Sequence, residues 1–153
     1  MSASPTSLSV IMPVYNEQDA IQLAIDDVQR CVLDVVPGSE LVVVNDGSKD
    51  ATGQMLDQAA SQDPRIRVIH KPNGGHGSAL LAGLAVAGGD YLFLIDSDRQ
   101  IPLDDFHAAW AEVMQGTDAV FGVRQSLVAD WTQLADGSFR MDYDFVLNPQ
   151  AKA

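Results

Sequence analysis

The chain has 153 residues, 46% of them hydrophobic and 20% charged, which suits one soluble domain with a sizeable core and excludes a disordered chain or two comfortable domains. Its 21 acidic residues against 9 lysines and arginines leave a net charge of −12; this speaks against nucleic acid as a partner and against an anionic membrane held by charge alone, and it suits a protein that recruits a divalent cation. Cys31 is the only cysteine, which rules out a disulfide framework or a thiolate metal cluster.

In chain order, the opening MSASPTS has neither the basic nor the apolar region of a secretory signal, so a cytoplasmic setting is expected. Apolar residues 8–12 predict a first strand, stopped by Pro13. A helix is expected to open at Asn16 or Glu17, with Ile21, Ala24, Ile25, Val28 and Cys31 on one face, and to break at Pro37-Gly38. The run at 41–44 reads as a strand buried on both faces. Asn45-Asp46-Gly47-Ser48 is a turn, and Ser48 or Asp50 is placed to cap a helix to about residue 60.

Residues 66–69 predict a third strand, and a glycine-rich loop, NGGHG, follows at 73–77. The next helix runs through Ala87 with Leu80, Leu84 and Ala87 on one face, until Gly88-Gly89 ends it. Residues 91–95 are the fourth strand; Pro102 then starts a helix through Met114 that buries Phe106, Ala109, Trp110 and Val113, and 118–123 is a fifth short strand. All the apolar runs are strand-length, so no membrane span is expected. Strands separated by helices and buried on both faces predict an α/β fold: a mostly parallel sheet, right-handed crossovers, helices on both faces. The last stretch changes period. FRMDYDF at 139–145 alternates apolar and charged residues, and Asp136-Gly137 is a hairpin signal. A β-hairpin over 131–146 is therefore expected, making 1–124 the main domain and 125–153 a tail packed on it. That tail either covers the open side of the site or pairs with another subunit in a homodimer.

Open parallel sheets bind ligands outside the carboxyl ends of their strands, and the unusual residues of this chain fall at such ends. The first strand delivers Pro13, Tyr15 and Glu17, the second Asn45 and Asp46, and the third leads to the loop holding Gly74 and Gly75. The fourth runs into acids: YLFLIDSDRQIP, residues 91–102. Asp96 and Asp98 stand two apart, so in extended backbone they point the same way and can share one hard cation. Mg²⁺ or Mn²⁺ suits, because such ions take one or two carboxylates and leave positions for substrate phosphates. A lone D-x-D is usually solvated charge; its place after a buried strand, beside other strand-end acids, gives it weight. The glycines permit close backbone approach by a ligand, and the helix after them offers amides to anions, although the spacing matches neither a Walker loop nor G-x-G-x-x-G. Asp46 also suits plain turn capping. His76 reads as a loop residue, since no second histidine stands at ligand spacing, and Cys31, His70 and the serines suggest no nucleophilic triad.

Taken in order, SVIMPVYNEQDAI, VVVNDGSKDAT, NGGHGSALLAGLAVAGGDYLFLIDSD and DAVFGVR resemble the nucleotide-binding half of family 2 glycosyltransferases, over about residues 8–124. The resemblance implies the three-layer, Rossmann-like GT-A fold and a nucleoside diphosphate sugar donor whose base and ribose lie against Pro13, Tyr15, Glu17, Asn45 and Asp46. It implies that Asp96 and Asp98 hold Mg²⁺ or Mn²⁺ at the two phosphates, and that transfer inverts the anomeric centre. DSDRQIP is similar to the D-x-D-x-Q-x-P form found in enzymes that glycosylate polyprenyl phosphates, such as dolichyl-phosphate mannosyltransferase. In that subclass Asp98 and Gln100 would carry catalysis, with Gln100 on a donor or acceptor phosphate. The implied acceptor is a lipid phosphate at a membrane surface, already anionic and needing no general base. Two departures stand out: the family often has two acids where this chain has Asn45-Asp46, and it continues past Arg124 into an acceptor half that residues 125–153 do not match. A second reading therefore stands beside the transferase, a truncated non-catalytic module that holds nucleotide sugar or a protein partner. A phosphoryl-receiver domain also gathers acids on a sheet rim, but at the first strand, where this chain has Pro13, Val14 and Tyr15.

Overall fold

Strands that are apolar on both sides need cover on both sides, and four strands join in one parallel sheet. The computed structural model describes residues 7–116, 120, 122–124, 131–133, 139–141 and 145–147. Strands β1 (Leu8–Val14), β2 (Glu40–Asn45), β3 (Ile66–His70) and β4 (Tyr91–Leu94) lie in the order β3-β2-β1-β4, every neighbouring pair parallel. Val10, Ile11 and residues 41–44 have no exposed surface. Order 3-2-1-4 makes the β1/β4 boundary the place where successive connections turn to opposite sides, the topological switch point of such a sheet.

β1 does not stop at Pro13; it continues beside β2, with Pro13 opposite Val44 and Val14 opposite Asn45. On the other side the ladder with β4 ends at Ile11 opposite Leu94, closed by Ile95 N–H donating to the Ile11 carbonyl. Ile11 and Pro13 direct their backbone groups to that same side, so the missing N–H of Pro13 falls where β4 has already turned away.

Helix α1 (Ile21–Val28) passes into a π-helical turn, Gln29–Leu33, and together they bury the expected stripe of Ile21, Ala24, Ile25, Val28 and Cys31. The helix starts later than the pattern suggests, because 16–20 form a loop bound to the β2–α2 connection. Helix α2 (Thr52–Gln62) has Thr52 N–H donating to Asp50 Oδ1 at 3.0 Å, whereas the Ser48 hydroxyl accepts from Asn16 N–H instead. Helix α3 (His76–Leu84) packs on one sheet face, where Ile11, Val42, Val44 and Ala79 form a fully buried cluster. Gly53 of α2 faces Asn45 and His70, which belong to the opposite face. Helices thus lie on both faces, as expected, but β3 and β4 are not buried on both sides as β1 and β2 are, and Leu92 and Leu94 of β4 are exposed.

The chain divides between Leu103 and Asp104 into two units. In the second, α4 (Phe106–Met114) starts at Phe106 rather than Pro102. Of the four residues expected to be buried there only Phe106 is; Ala109, Trp110 and Val113 are half-buried, and Trp110 stacks on Phe106 with ring centroids 6.3 Å apart. The expected fifth strand at 118–123 is described only towards its end, where β5 (Gly122–Arg124) pairs antiparallel with β8 (Phe145–Leu147). β6 (Trp131–Gln133) pairs antiparallel with β7 (Phe139–Met141), Trp131 opposite Met141. That register is offset by one residue from the one a two-residue turn at Asp136-Gly137 would set, which would place Gln133 opposite Arg140; the turn itself lies outside the described residues. Residues 145–146, expected in the same hairpin, pair with β5. Among the described residues no helix is long and apolar enough to cross a membrane.

Gly83 shows how closely α3 sits. A Cβ there would lie 2.5 Å from Ile11 Cγ2 and 3.2 Å from Val44 Cγ2. Alanine would gain about 1 kcal/mol in helix propensity, but overpacking against β-branched core residues costs about 1–3 kcal/mol. Gly83→Ala is expected to lose about 1 kcal/mol net, seen as a lower urea midpoint at unchanged m-value; an unchanged or raised midpoint would contradict this packing.

Candidate functional site

Beyond Ile11 and Leu94 strands β1 and β4 part, and a cleft of about 400 Å³ opens between them. β1 contributes Pro13, Val14, Tyr15 and Glu17; the segment after β4 contributes Asp96, Ser97 and Asp98; Asp46 enters from β2; Asn73, Gly75, His76 and Ala79 close it from the α3 side. Of the residues picked from sequence, Pro13, Tyr15, Glu17, Asp46, Gly75, Asp96 and Asp98 are brought together here. Asn45, Gly74 and Gln100 do not line the cleft. Asn73, His76, Ala79 and Ser97 do, and had not been singled out as site residues. Their signal was limited to adjacency: each neighbours or shares a turn with a predicted one.

Asp96 and Asp98 are exposed, Ser97 between them is buried, and both aspartates line the cleft, although β4 ends at Leu94 and 97–98 form a turn rather than the extended backbone expected. The Asp96 side chain is 59% exposed, and His76 Nδ1 stands 3.9 Å from its Oδ1. Asp98 Oδ1 accepts from the Gln100 amide at 3.0 Å. The chain can double back there because Arg99 takes a left-handed conformation, φ 58°, and its guanidinium leaves the cleft for Asp27, 2.9 Å away. Among the described residues neither Asp96 nor Asp98 is paired with an arginine. Glu17 is half-buried, and its carboxyl pKa is raised, first by burial and then by the charge of Asp98, with Asp50 and Asp19 adding to it. Asp96, Asp98 and Glu17 therefore gather negative charge in the cleft, whereas Asp46 has Lys71 beside it.

These residues suit a hard divalent ion in part. Among the described residues no three histidine, cysteine or acidic side chains are arranged as a metal cage. Two carboxylates on one wall supply one or two of the oxygen ligands that Mg²⁺ or Mn²⁺ takes from protein, and such an ion would draw its remaining ligands from elsewhere.

Asp46 is different. It is only 3% exposed, and it accepts from the Lys71 ammonium, from Gly74 N–H at 3.0 Å and from Gly75 N–H at 2.8 Å. Asn73 Nδ2 donates to its carbonyl at 3.0 Å. The Lys71 hydrogen bond above all, then the two glycine amides, hold its carboxyl below the usual range against the opposing effect of burial. The glycine loop is thus moulded around this carboxylate. Gly47, at φ 74°, is needed beside it, because a Cβ there would come within 2.7 Å of Asn73 N.

A second, more open depression of about 700 Å³ lies over the start of α2, lined by Lys49, Asp50, Asp57 and His70 among others. The largest carboxylate shift is elsewhere again. Asp63 is pushed well below its ordinary range, first by Arg65 and then by Gln29, and that pair ties the end of α2 to the π-helical turn. Convergent geometry at the switch point, rather than cavity size or degree of pKa shift, selects the first cleft.

Comparison with known proteins gives a family and a fold. The model of the family described as "Glycosyl transferase family 2" matches residues 9–150. An undecaprenyl-phosphate 4-deoxy-4-formamido-L-arabinose transferase of Pseudomonas fluorescens is 34% identical over 119 residues, 76% of this chain and 35% of the relative. An uncharacterized glycosyltransferase, EpsJ, of Bacillus subtilis is 35% identical over 115 residues, 75% of this chain and 33% of the relative. The chain thus spans about a third of the length of these curated relatives. Among solved structures, S. aureus TarS 1-349 in complex with UDP superposes with a TM-score of 0.63 at 23% identity, covering 82% of this chain and 40% of that one. The mannosyltransferase PcManGT from Pyrobaculum calidifontis, with GDP-Man and Mn²⁺, gives 0.62 at 24% identity, covering 79% and 35%. Both share the fold.

Because the folded-state pKa of Asp46 is depressed, its contribution to stability is complete above about pH 4 and is lost as pH falls through the lower folded value. Asp46→Asn is expected to cost about 2 kcal/mol at neutral pH, the worth of charge-assisted hydrogen bonds. In urea unfolding the gap to the parent should narrow by about pH 3; a gap that stays constant with pH would show that the carboxylate charge is not what holds the loop.

Proposed function

The chain belongs to glycosyl transferase family 2, and from that premise we propose that its cleft binds the nucleoside diphosphate of a sugar donor, with Asp96 and Asp98 holding Mg²⁺ or Mn²⁺ against the two phosphates. The observation that carries the reading is the pair of exposed carboxylates flanking buried Ser97 on one wall of the switch-point cleft. Relatives supply further support: one solved relative was captured with GDP-Man and Mn²⁺, another with UDP.

Each residue then has a task set by its place. Tyr15, 44% exposed at the mouth, offers a ring face on which a base can stack, and Pro13 a flat apolar floor. Glu17 is the acceptor within reach of ribose hydroxyls or base N–H groups. Asp46 keeps the glycine loop out of the way of the donor while lining the cleft itself, and Asn45, Gly74 and Gly75 serve the donor through that scaffold. Asp98 and Gln100 stand at the reacting end of the donor, their mutual bond fixing the turn that presents both. The cation, when bound, neutralises the charge that grows on the departing diphosphate, a contribution of several kcal/mol.

The sugar acceptor is proposed to be a polyprenyl phosphate, as the names of several relatives state for those proteins. Its phosphate oxygen is already anionic at neutral pH, so displacement at the anomeric carbon, with inversion, needs no general base from this chain. Such an acceptor would bring the protein to a membrane surface.

Titration calorimetry with UDP and GDP-mannose, each with and without Mn²⁺, tests donor binding. At least one is expected to bind at least tenfold more tightly with the metal, and Asp98→Ala should remove about that factor. Binding indifferent to both metal and mutation would refute the assignment. Product formation from the bound donor and a short polyprenyl phosphate then separates transfer from donor binding alone.

A further inference from the structure

We propose that His70, which does not line the cleft, is a positioning residue for it: acting through Asn45 and Ser48, it sets the loop that carries Tyr15 and Glu17. The proposal rests on the donor-site reading above and adds a residue outside it.

Ser48 N–H donates to the Asn45 side chain at 3.0 Å, and an N–H requires an acceptor, so the atom facing it is Oδ1. Nδ2 therefore faces His70 Nδ1, 3.0 Å away. Nδ2 can only donate, so Nδ1 must be bare, and in the neutral ring the hydrogen sits on Nε2. There it meets Asp57 Oδ1 at 2.8 Å. One tautomer, and one orientation of the amide, satisfy every group in the line. Gly53 lets α2 pack close to this pair, since a Cβ there would stand 3.2 Å from Asn45 Nδ2 and 3.8 Å from His70 Cε1.

From Ser48 the line reaches the cleft. Ser48 Oγ accepts from Asn16 N–H at 2.9 Å, and Asn16 Oδ1 accepts from Lys49 N–H at 2.8 Å. Asn16 adopts φ 53°, a left-handed conformation that costs energy in a residue other than glycine and persists only where neighbours enforce it. The residues on either side of it are Tyr15 and Glu17, both in the cleft wall. With His70 removed, Asn45 can turn, Ser48 loses its defined acceptor, and the loop has one restraint fewer. An aspartate at position 45 would serve Ser48 equally but would present His70 with an acceptor, requiring the opposite tautomer or the imidazolium. Asn45 and His70 are a matched pair.

Long-range ¹⁵N–¹H spectra of the full chain are expected to show His70 as the Nε2–H tautomer; Nδ1–H would overturn the proposal. His70→Phe removes the acceptor, and His70→Asn restores one, its Oδ1 taking the place of Nδ1. Both lose the Asp57 contact, so that contact cannot explain a difference between them. For whichever of UDP and GDP the parent binds with Mn²⁺, affinity should fall about five- to tenfold in His70→Phe and stay within about twofold in His70→Asn, the difference made by one positioned hydrogen bond. Equal affinities in the two variants would overturn it. If the parent binds neither nucleotide, the donor reading fails on its own, and the amide shifts of Asn16 and Ser48 decide the positioning claim: displaced in His70→Phe and restored in His70→Asn supports it, undisturbed in both refutes it. Should His70→Phe not fold, the parent's tautomer alone can still refute the claim.

Discussion

Like charges crowded on one rim repel, and the arrangement of this sheet is a response to that repulsion. Two carboxylates about 5 Å apart in a medium of effective dielectric near 20 oppose each other by about 3 kcal/mol. The fold deals with its four rim acids unequally. Asp46 is withdrawn from the contest by Lys71 and two glycine amides. Asp96 and Asp98 stay in solvent, where water screens them, and Glu17 has its pKa raised first by its own burial and then by the charge of Asp98. A cleft tuned in this way favours a ligand that arrives with positive charge of its own, and a cation carried with a diphosphate brings that together with the oxygens needed to finish its coordination.

The satisfied acid and the exposed pair divide structural and chemical work. Asp46 shapes the loop and tolerates little change; Asp96 and Asp98 are bound to little in the protein and so remain available. Asp63 illustrates the contrast, because its carboxyl is the most strongly held of all and yet only ties α2 to the π-helical turn. A depressed carboxylate marks a partner already found, and an unengaged one marks a partner still to come.

The parallel sheet was legible because β1 and β2 are buried on both faces and carry unbroken apolar runs, and the cleft was legible because acids at strand ends have few structural reasons to be there. What periodicity cannot report is where a polar group finds its partner when that partner is far along the chain. Asn45 and Gly74 were placed against the donor, yet Asn45 turns to His70, 25 residues on, and Gly74 to Asp46, 28 residues back. The late start of α1 has the same origin, since 16–20 are laced to Ser48, Asp50 and Thr52 by bonds no local pattern encodes. In α4 the apolar spacing was read correctly as helical, but spacing says which face is apolar and not how deeply it is covered. Of the fifth strand expected at 118–123 only the end is seen, as Gly122–Arg124, and its antiparallel pairing with β8 depends on residues far downstream.

Pro13 has one more implication. Parallel strands with complementary backbones tend to zip together as far as their lengths allow, and an unbroken donor row along β1 would invite the segment after Leu94 to keep following it. A proline removes the next rung on that side alone, leaving the rungs towards β2 intact. The opening at the end of the sheet is thus written into the covalent structure of β1, and it stands ready without any ligand to prise it apart.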